Sequence, residues 1–224
     1  MIEKNKIYVN DCLSLLREIE SNSVDLIIAD YPFSYFYRNI SGELKKVTKE
    51  KDCEIFISST IREFYRVLKE YGNLAIFWQS IMAYKYTKFL SDLFYIRNIV
   101  VVKGLIRWSW AFLPFNYNLL YLLSKNKKRT KCWYKIKNLT DLWLDFNSRD
   151  KVYHREQIPI SVARRILELM SKEGDLVLDV FTGGGNVVIT CKEMNRNFIG
   201  VDIDEKSVKI ANNRLKEVNR CLFV

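Results

Sequence analysis

The stretch Leu176-Val-Leu-Asp-Val-Phe-Thr-Gly-Gly-Gly-Asn186 decides the expected fold of this 224-residue chain. Its apolar beginning is typical of a buried strand, its three glycines of a tight turn, and the residues after it of a helix. Ser161 is expected to cap the preceding helix, which Gly174 ends, and a further strand ends at Asp202. Apolar strands that alternate with amphipathic helices predict an α/β fold, with a mostly parallel sheet flanked by helices.

The N-terminal third repeats this alternation. Asp11 is placed to cap a first helix, and residues 24–29 form a nearly continuous apolar run, as in a parallel strand buried on both faces. That strand ends abruptly at Asp30-Tyr-Pro-Phe33. Residues 34–56 look irregular, and a helix is expected from about Ser59 to Lys69, closed by Gly72; a further helix and strand fit residues 80–102.

Composition predicts a single domain over residues 1–224. Of the chain, 49% is hydrophobic, and three prolines and eight glycines leave little room for a linker. The N-terminus lacks the apolar core of a signal peptide, and charges at Lys103 and Arg107 interrupt the most apolar stretch, so no membrane span is expected. Five scattered cysteines favour a reducing cytoplasm and argue against a disulfide framework or a zinc site, so no metal is expected. A net charge of +10 favours polyanionic partners.

Two features stand at predicted carboxyl ends of strands, where open parallel sheets bind ligands. The glycine cluster at 183–185 would let backbone amides approach a ligand, and Asp202 is placed to accept hydrogen bonds from both hydroxyls of a ribose. A tight turn and a helix cap explain the same residues without any ligand. The pattern departs from G-x-G-x-x-G, which disfavours a dinucleotide dehydrogenase.

The form D-x-F-x-G-x-G, followed by a strand that ends in an acid, resembles the cofactor motifs of amino-methylating DNA methyltransferases. The resemblance implies a Rossmann-like fold that binds S-adenosylmethionine, with the methionine moiety held at the glycine loop and the ribose at Asp202. Asn186 stands where a threonine is usual. The cofactor-binding residues carried over are Asp11, Cys12, Gln157, Pro159, Asp179, Phe181, Thr182, Gly183, Gly185, Asn186 and Asp202.

Three more segments carry the resemblance. His154-Arg-Glu-Gln-Ile-Pro159 resembles the H-P-x-Q-K-P segment that passes under the cofactor, with Arg155 and Ile158 replacing the first proline and the lysine. Residues 10–13 resemble the G-D-C-L entry, whose acid faces the adenine of the cofactor. Asp30-Tyr-Pro-Phe33 resembles the catalytic (D/N/S)-P-P-(Y/F) tetrapeptide, with a tyrosine in place of the first proline.

The order of these motifs is that of the circularly permuted β subgroup. It implies a catalytic half at 1–102, a short recognition segment at 103–153 and a cofactor-binding half at 154–224. His154, the single histidine, is interpreted as structural or cofactor-adjacent, since methylation of an amine needs no strong base before attack.

The catalytic residues expected are Asp30, Tyr31, Pro32 and Phe33. An exocyclic amine is a poor nucleophile because its lone pair is delocalised into the ring, so the enzyme must position it and polarise it. Asp30 is suited to accept one amino hydrogen and a backbone carbonyl near Pro32 the other, while Phe33 offers a face for a flipped-out base.

The middle of the chain is the expected DNA-binding region because basic and aromatic residues interleave there. A solvated hairpin tip would have the same composition. The partners expected are double-stranded DNA, a second copy of the chain in a homodimer, and a cognate restriction endonuclease. The residues expected to contact DNA are Arg107, Trp108, Lys125, Lys127, Lys128, Arg129 and Lys131.

Asp30, rather than a serine, favours adenine N6 over cytosine N4 as the methylated position. Structured RNA is a third substrate, supported by the same basic charge. A catalytically silent cofactor- or nucleic-acid-binding module is the alternative from another class, motivated by the departures at Tyr31 and Ile158.

Overall fold

The computed structural model describes residues 2–31, 50–107, 115–128, 140–144 and 157–221. Within them, eight strands form one sheet in the order β1-β8-β7-β2-β3-β5-β4-β6. Strand β5 runs antiparallel to both of its neighbours, and every other adjacent pair is parallel. The strands are β1 Lys6–Val9, β2 Val24–Asp30, β3 Leu68–Trp78, β4 Tyr95–Arg107, β5 Phe115–Ser124, β6 Leu142–Trp143, β7 Leu176–Asp179 and β8 Asn197–Asp202.

Helices cover both faces of the sheet, which confirms the predicted α/β architecture. One apolar cluster joins the sheet to α1, α2 and α3, and a second joins its other face to α4 and α5. The helices are α1 Cys12–Glu18, α2 Glu50–Val67, α3 Ser80–Ser91, α4 Ile160–Met170, α5 Asn186–Glu193 and α6 Glu205–Cys221. No helix in the described part of the chain is long and apolar enough to cross a membrane.

Burial on both faces explains the continuous apolar run of β2. Ile27 and Ala29 pack in the first cluster, whereas Leu26 and Ile28, which point the other way, pack in the second. The predicted cap of α1 is also present, since the Asp11 carboxylate accepts a hydrogen bond from the Ser14 backbone N–H at 2.9 Å.

Helix α2 differs from its prediction at both ends. It begins at Glu50, inside the segment expected to be irregular, and it ends at Val67. The next strand starts at once with Leu68 and runs through Gly72, so this glycine does not close the helix. Pairing of Leu68 with Val24 of β2 draws these residues into the sheet, and such a tertiary contact is invisible to local periodicity.

Ser161 does not cap α4, contrary to the prediction. The helix is preceded by Pro159 at the cap position, and Ser161 lies inside the first turn with its hydroxyl buried and without a hydrogen-bond partner among the described residues. The fixed φ and missing N–H of proline suit a helix start. The same helix ends at Met170, before the predicted stop at Gly174.

The strand order reverses between β7 and β2. From β7 the chain passes to β8 on one side, and from β2 it passes to β3 on the other. Open α/β sheets bind ligands in the crevice outside the carboxyl ends of the strands at such a point. The fold therefore places the candidate site where β2 and β7 end, at Asp30 and Asp179.

Candidate active site

Three aspartates end three neighbouring strands. Asp202 closes β8, Asp179 closes β7 and Asp30 closes β2, in that order across the sheet. Asp179 is in register with Ile28 of β2 on one side and with Gly200 of β8 on the other. Residues that are 172 positions apart in sequence thus meet at one edge, as parallel strands require.

The middle carboxyl group is buried. Asp179 is 3% exposed, and its Oδ2 atom has no hydrogen-bond partner among the described residues. The pKa of Asp179 is raised to about 8, chiefly by burial and in addition by the nearby carboxylates of Asp202 and Asp30, although hydrogen bonds from the backbone of Phe181 and from Thr182 act in the opposite direction. A buried acceptor of this kind suits a ligand that brings a cationic donor.

The glycine loop between β7 and α5 is held from two sides. The Gly183 N–H donates to Asp202 Oδ2 at 2.7 Å, and the Gly184 carbonyl accepts a hydrogen bond from the Arg214 guanidinium of α6. Gly185 has φ +88°, and a Cβ on it would lie 2.7 Å from the Cβ of Ala211. The loop therefore needs glycine for both its conformation and its packing.

Arg214 was not anticipated from the sequence. Its contact spans 30 residues, and nothing in the local pattern of α6 separates it from the other basic residues there.

Asn186 joins the loop to the segment that precedes α4. Its side chain is buried, its Nδ2 donates to the Ile158 carbonyl at 2.7 Å, and its Oδ1 has no partner among the described residues. Ile158 is itself buried. Where the family segment has a lysine, this chain therefore has a buried apolar side chain, between Gln157 and Pro159. His154 lies outside the described residues.

The first loop of the chain lies beside Asp202. The Asn10 N–H donates to the Asp202 backbone carbonyl at 3.1 Å. Cys12 is buried, and desolvation, followed by the Asp11 carboxylate, raises the pKa of its thiol to about 12, with a smaller contribution from Asp202. The structure therefore brings Asp11 and Cys12 to the same edge as the other predicted cofactor residues, although Asp11 already caps α1.

Tyr31 is fully buried instead of facing a substrate. Its ring stacks on Trp78 at a centroid distance of 5.1 Å and packs against Phe181 at 5.0 Å. Its hydroxyl lies 2.5 Å from Thr60 Oγ1, and burial raises the pKa of the phenol well above its usual value. The Tyr31 side chain is 1% exposed and packs in the interior, while the catalytic role of this residue stays a prediction. Pro32 and Phe33 lie outside the described residues.

Among the described residues that were predicted to contact DNA, Lys125, Lys127 and Lys128 lie away from this edge. Ser124 pairs with Asn73 in the middle of β3, at the level of Leu26 near the amino end of β2, and Lys125 follows it there. Asn73 and Trp78 are separated by about 17 Å along that strand, at about 3.3 Å per residue.

Lys125 is occupied within the protein. Its Nζ donates to the Leu68 carbonyl at 2.7 Å and to Asn22 Oδ1 at 2.9 Å. Lys127 and Lys128 continue the same turn and therefore also lie away from the site. A run of basic residues in the sequence need not face the ligand-binding edge. Arg107, in contrast, ends β4 opposite Phe115 on the carboxyl side of the sheet, seven residues beyond Val100, which is the β4 residue at the level of Asp30. Trp108, Arg129 and Lys131 are outside the described residues.

Comparison with known proteins identifies the arrangement. The family model for N6/N4 methyltransferases, described as "DNA methylase", matches residues 24–213, from the start of β2 into the final helix. The chain belongs to the DNA methylase family. Members of this family methylate an exocyclic amine of a DNA base and take the methyl group from S-adenosylmethionine.

Individual relatives of this DNA methylase extend over nearly its whole length. The Type II methyltransferase M.HpaI of Haemophilus parainfluenzae is 25% identical over 94% of this chain and 74% of its own. Among solved structures, the cytosine-N4-specific PvuII DNA methyltransferase has a TM-score of 0.79 at 14% identity, over 98% of this chain and 93% of that one. The M1.HpyAVI–SAM complex has a TM-score of 0.71 at 21% identity, over 94% and 99%. These structures share the fold of the methylase.

The residues at the site fit the family's cofactor. S-adenosylmethionine presents an ammonium group and a ribose, and the buried oxygens Asp179 Oδ2 and Asn186 Oδ1 are acceptors without a partner among the described residues. The Asp202 carboxylate accepts from the backbone of Gly183 and Asp204, and a carboxylate has lone pairs for two further donors.

Proposed function

We propose that this DNA methylase transfers the methyl group of S-adenosylmethionine to N6 of adenine in double-stranded DNA. The observation that carries the proposal is the Asp30 carboxylate at the end of β2, one strand away from the buried Asp179. An acid at this position of the catalytic tetrapeptide favours adenine in the family that the sequence resembles. Its place beside the cofactor residues supports a direct role in the reaction.

Asp30 is proposed to accept one hydrogen of the target amine. Such a bond draws the lone pair back onto nitrogen and orients it for in-line attack. When bound, the cofactor supplies an electrophilic methyl group. Asp179 and Asn186 are proposed to hold the methionine ammonium, and Asp202 the ribose hydroxyls, because their free acceptor positions match those donors.

The target base is proposed to leave the duplex. The amino nitrogen of a stacked and paired base is out of reach, and flipping costs a few kcal/mol, against about 1–3 kcal/mol from stacking on an aromatic ring. The proposal gives that stacking role to Phe33 on the resemblance of its motif. The Tyr31 ring is unsuited to it, since it is buried between Trp78 and Phe181.

Cytosine N4 is the second candidate, because the PvuII enzyme with the same fold is cytosine-N4-specific. Tritiated methyl transfer to unmethylated genomic DNA, followed by nucleoside mass spectrometry, separates the two. Labelled N6-methyladenine supports the proposal, whereas labelled N4-methylcytosine would show that cytosine N4 is the methylated position. If calorimetry shows cofactor binding but DNA takes up no label, a silent module or an RNA substrate becomes the better reading.

A homodimer and a cognate restriction endonuclease are proposed as partners. M.HpaI, which matches 94% of this chain, is a Type II methyltransferase, and this likeness supports a place in restriction–modification. Sedimentation velocity of the purified chain tests the dimer, for which a single monomer peak would be the contrary result. Protection of methylated DNA against a neighbouring nuclease tests the second partner.

A further inference from the structure

We propose that Thr60 of α2 is a positioning residue for methyl transfer, which holds the Tyr31 side chain and through it the adjacent Asp30. Thr60 is fully buried, and its Oγ1 lies 2.5 Å from the Tyr31 hydroxyl, 29 residues away in sequence. The two residues belong to different elements, since Tyr31 directly follows β2 and Thr60 lies in the middle of α2.

Counting protons fixes the direction of this hydrogen bond. The Thr60 hydroxyl has one hydrogen, and it donates to the Ile57 carbonyl at 2.9 Å, one turn earlier in α2. The Tyr31 hydroxyl is therefore the donor, and Thr60 Oγ1 accepts. A buried phenol remains protonated and can donate throughout the physiological pH range.

Ring contacts tie the same tyrosine to the rest of the site. Its ring is nearly parallel to that of Trp78, with an interplanar angle of 10°, where β3 ends. On another side it meets Phe181, two residues after Asp179, at 45°. Phe56 of α2 approaches edge-on at 6.2 Å. Tyr31 thus connects α2, the end of β3 and the cofactor loop at the residue that follows Asp30.

The substitution of proline by tyrosine explains why such an anchor is needed. A proline at this place has a fixed φ, which holds the backbone after the catalytic acid. A tyrosine does not fix φ, so its side chain must hold the backbone after Asp30 in place instead. In this chain the hydrogen bond from the Tyr31 hydroxyl to Thr60 and the stacking of the Tyr31 ring on Trp78 hold it.

The test compares Thr60→Val, which keeps the shape and removes the acceptor, with Thr60→Ser, which keeps the hydroxyl. Because a misplacement of about 1 Å at a catalytic group can lower a rate by about a hundred-fold, we expect single-turnover methyl transfer by Thr60→Val to fall by about ten-fold. The dissociation constant for S-adenosylmethionine should stay within about two-fold, since the cofactor acids are intact. Thr60→Ser should recover most of the rate.

Tyr31→Phe should cause the same loss as Thr60→Val, and the double variant should lose no more than either one, because both remove the hydrogen bond between Tyr31 and Thr60. Thr87→Val is the matched control. Thr87 Oγ1 lies 3.2 Å from the Tyr121 hydroxyl on the same face of the sheet, where α3 meets β5. It should lower the melting temperature without slowing methyl transfer.

Thermal unfolding of each variant separates positioning from folding. A folded Thr60→Val protein that methylates at the wild-type rate overturns the proposal. The proposal is also overturned if Thr60→Val and Thr87→Val lose the same rate at the same loss of stability. Rate losses of Thr60→Val and Tyr31→Phe that add in the double variant overturn it as well.

Discussion

The carboxyl group of Asp179 lies between those of Asp202 and Asp30 in the order of the strands and is the most deeply buried of the three. Burial and the two neighbouring charges both favour its protonated form, so its pKa is about 8 in the free protein. An ammonium group placed against it would reverse this preference. Cofactor binding is then coupled to loss of a proton from Asp179.

The sign of that coupling gives a pH dependence. At a pH below the Asp179 pKa of about 8, this carboxyl group is mostly protonated in the free protein, and binding must first ionise it. This cost decreases as the pH rises, so the dissociation constant for S-adenosylmethionine should fall between pH 5.5 and 7.5, by at most about ten-fold per pH unit. Isothermal titration calorimetry in buffers of different ionisation enthalpy measures both the constant and the released proton.

Asp179→Asn is the control for this pH dependence. The amide cannot ionise, so the variant should bind the cofactor weakly and with a nearly constant affinity over the same range. A wild-type affinity that is flat with pH, or an equally steep one in Asp179→Asn, would show that another group titrates.

At the scale of elements, α5 depends on the close approach of α6. Gly185 combines a left-handed φ of +88° with contact to Ala211, whereas Gly174, with φ +81°, has nothing within 4 Å of an added Cβ. Only the first of these glycines is required by packing as well as by conformation.

We expect Gly185→Ala to destabilise the fold more than Gly174→Ala. The left-handed conformation costs each alanine about 1–2 kcal/mol, and the collision with Ala211 should add about 1–3 kcal/mol to Gly185→Ala alone. Urea unfolding of both variants measures the difference. Equal losses in the free energy of unfolding would mean that α6 yields to the extra methyl group.

Elements with a strong local pattern were predictable from the sequence. The apolar run of β2, the strand that ends at Asp179 and the one that ends at Asp202 all appear where periodicity placed them. The end of α2 and the cap of α4 were not, because pairing of Leu68 with Val24 and the proline at 159 override weaker local signals.

The same limit applies to the candidate site. Asp30 and Asp202 could be found because each ends a predicted strand, and Asp179 because it lies near the end of another; strand ends of a parallel sheet share an edge. The burial of Tyr31 and the roles of Thr60 and Arg214 depend on contacts across 29 to 30 residues, which no local pattern encodes.

At the scale of the whole molecule, the two edges of the sheet have different chemistry. The carboxyl edge holds the aspartates and the end of β4 at Arg107, and the amino edge holds the turn after β5. The turn follows Ser124, which pairs with Asn73 about 17 Å along β3 from the carboxyl end of that strand at Trp78, and this distance exceeds a Debye length of about 10 Å at 0.1 M salt. DNA bound at the carboxyl edge should be insensitive to that turn.

We therefore expect Lys127→Glu combined with Lys128→Glu to change the KM for DNA by less than about two-fold at 0.1 M salt. Arg107→Glu, on the carboxyl side of the sheet, should raise it several-fold, since the proposed phosphate contact would be lost and a repulsion gained. Steady-state methylation of one DNA substrate by both variants makes the comparison. A large increase in KM for the lysine variant would show that the turn after β5 belongs to the DNA-binding surface.

The assignment of Asp30 to catalysis and of Asp202 to cofactor binding is tested most directly by measuring methyl transfer and cofactor binding in Asp30→Asn and Asp202→Ala side by side. Asp30→Asn should bind S-adenosylmethionine within about two-fold of the wild-type constant and methylate DNA at least about a hundred-fold more slowly, because only the polarisation of the amine is lost. Asp202→Ala should instead weaken cofactor binding first. Wild-type methylation by Asp30→Asn, or an unchanged cofactor affinity in Asp202→Ala, would contradict the assignment of these acids to catalysis and to the ribose.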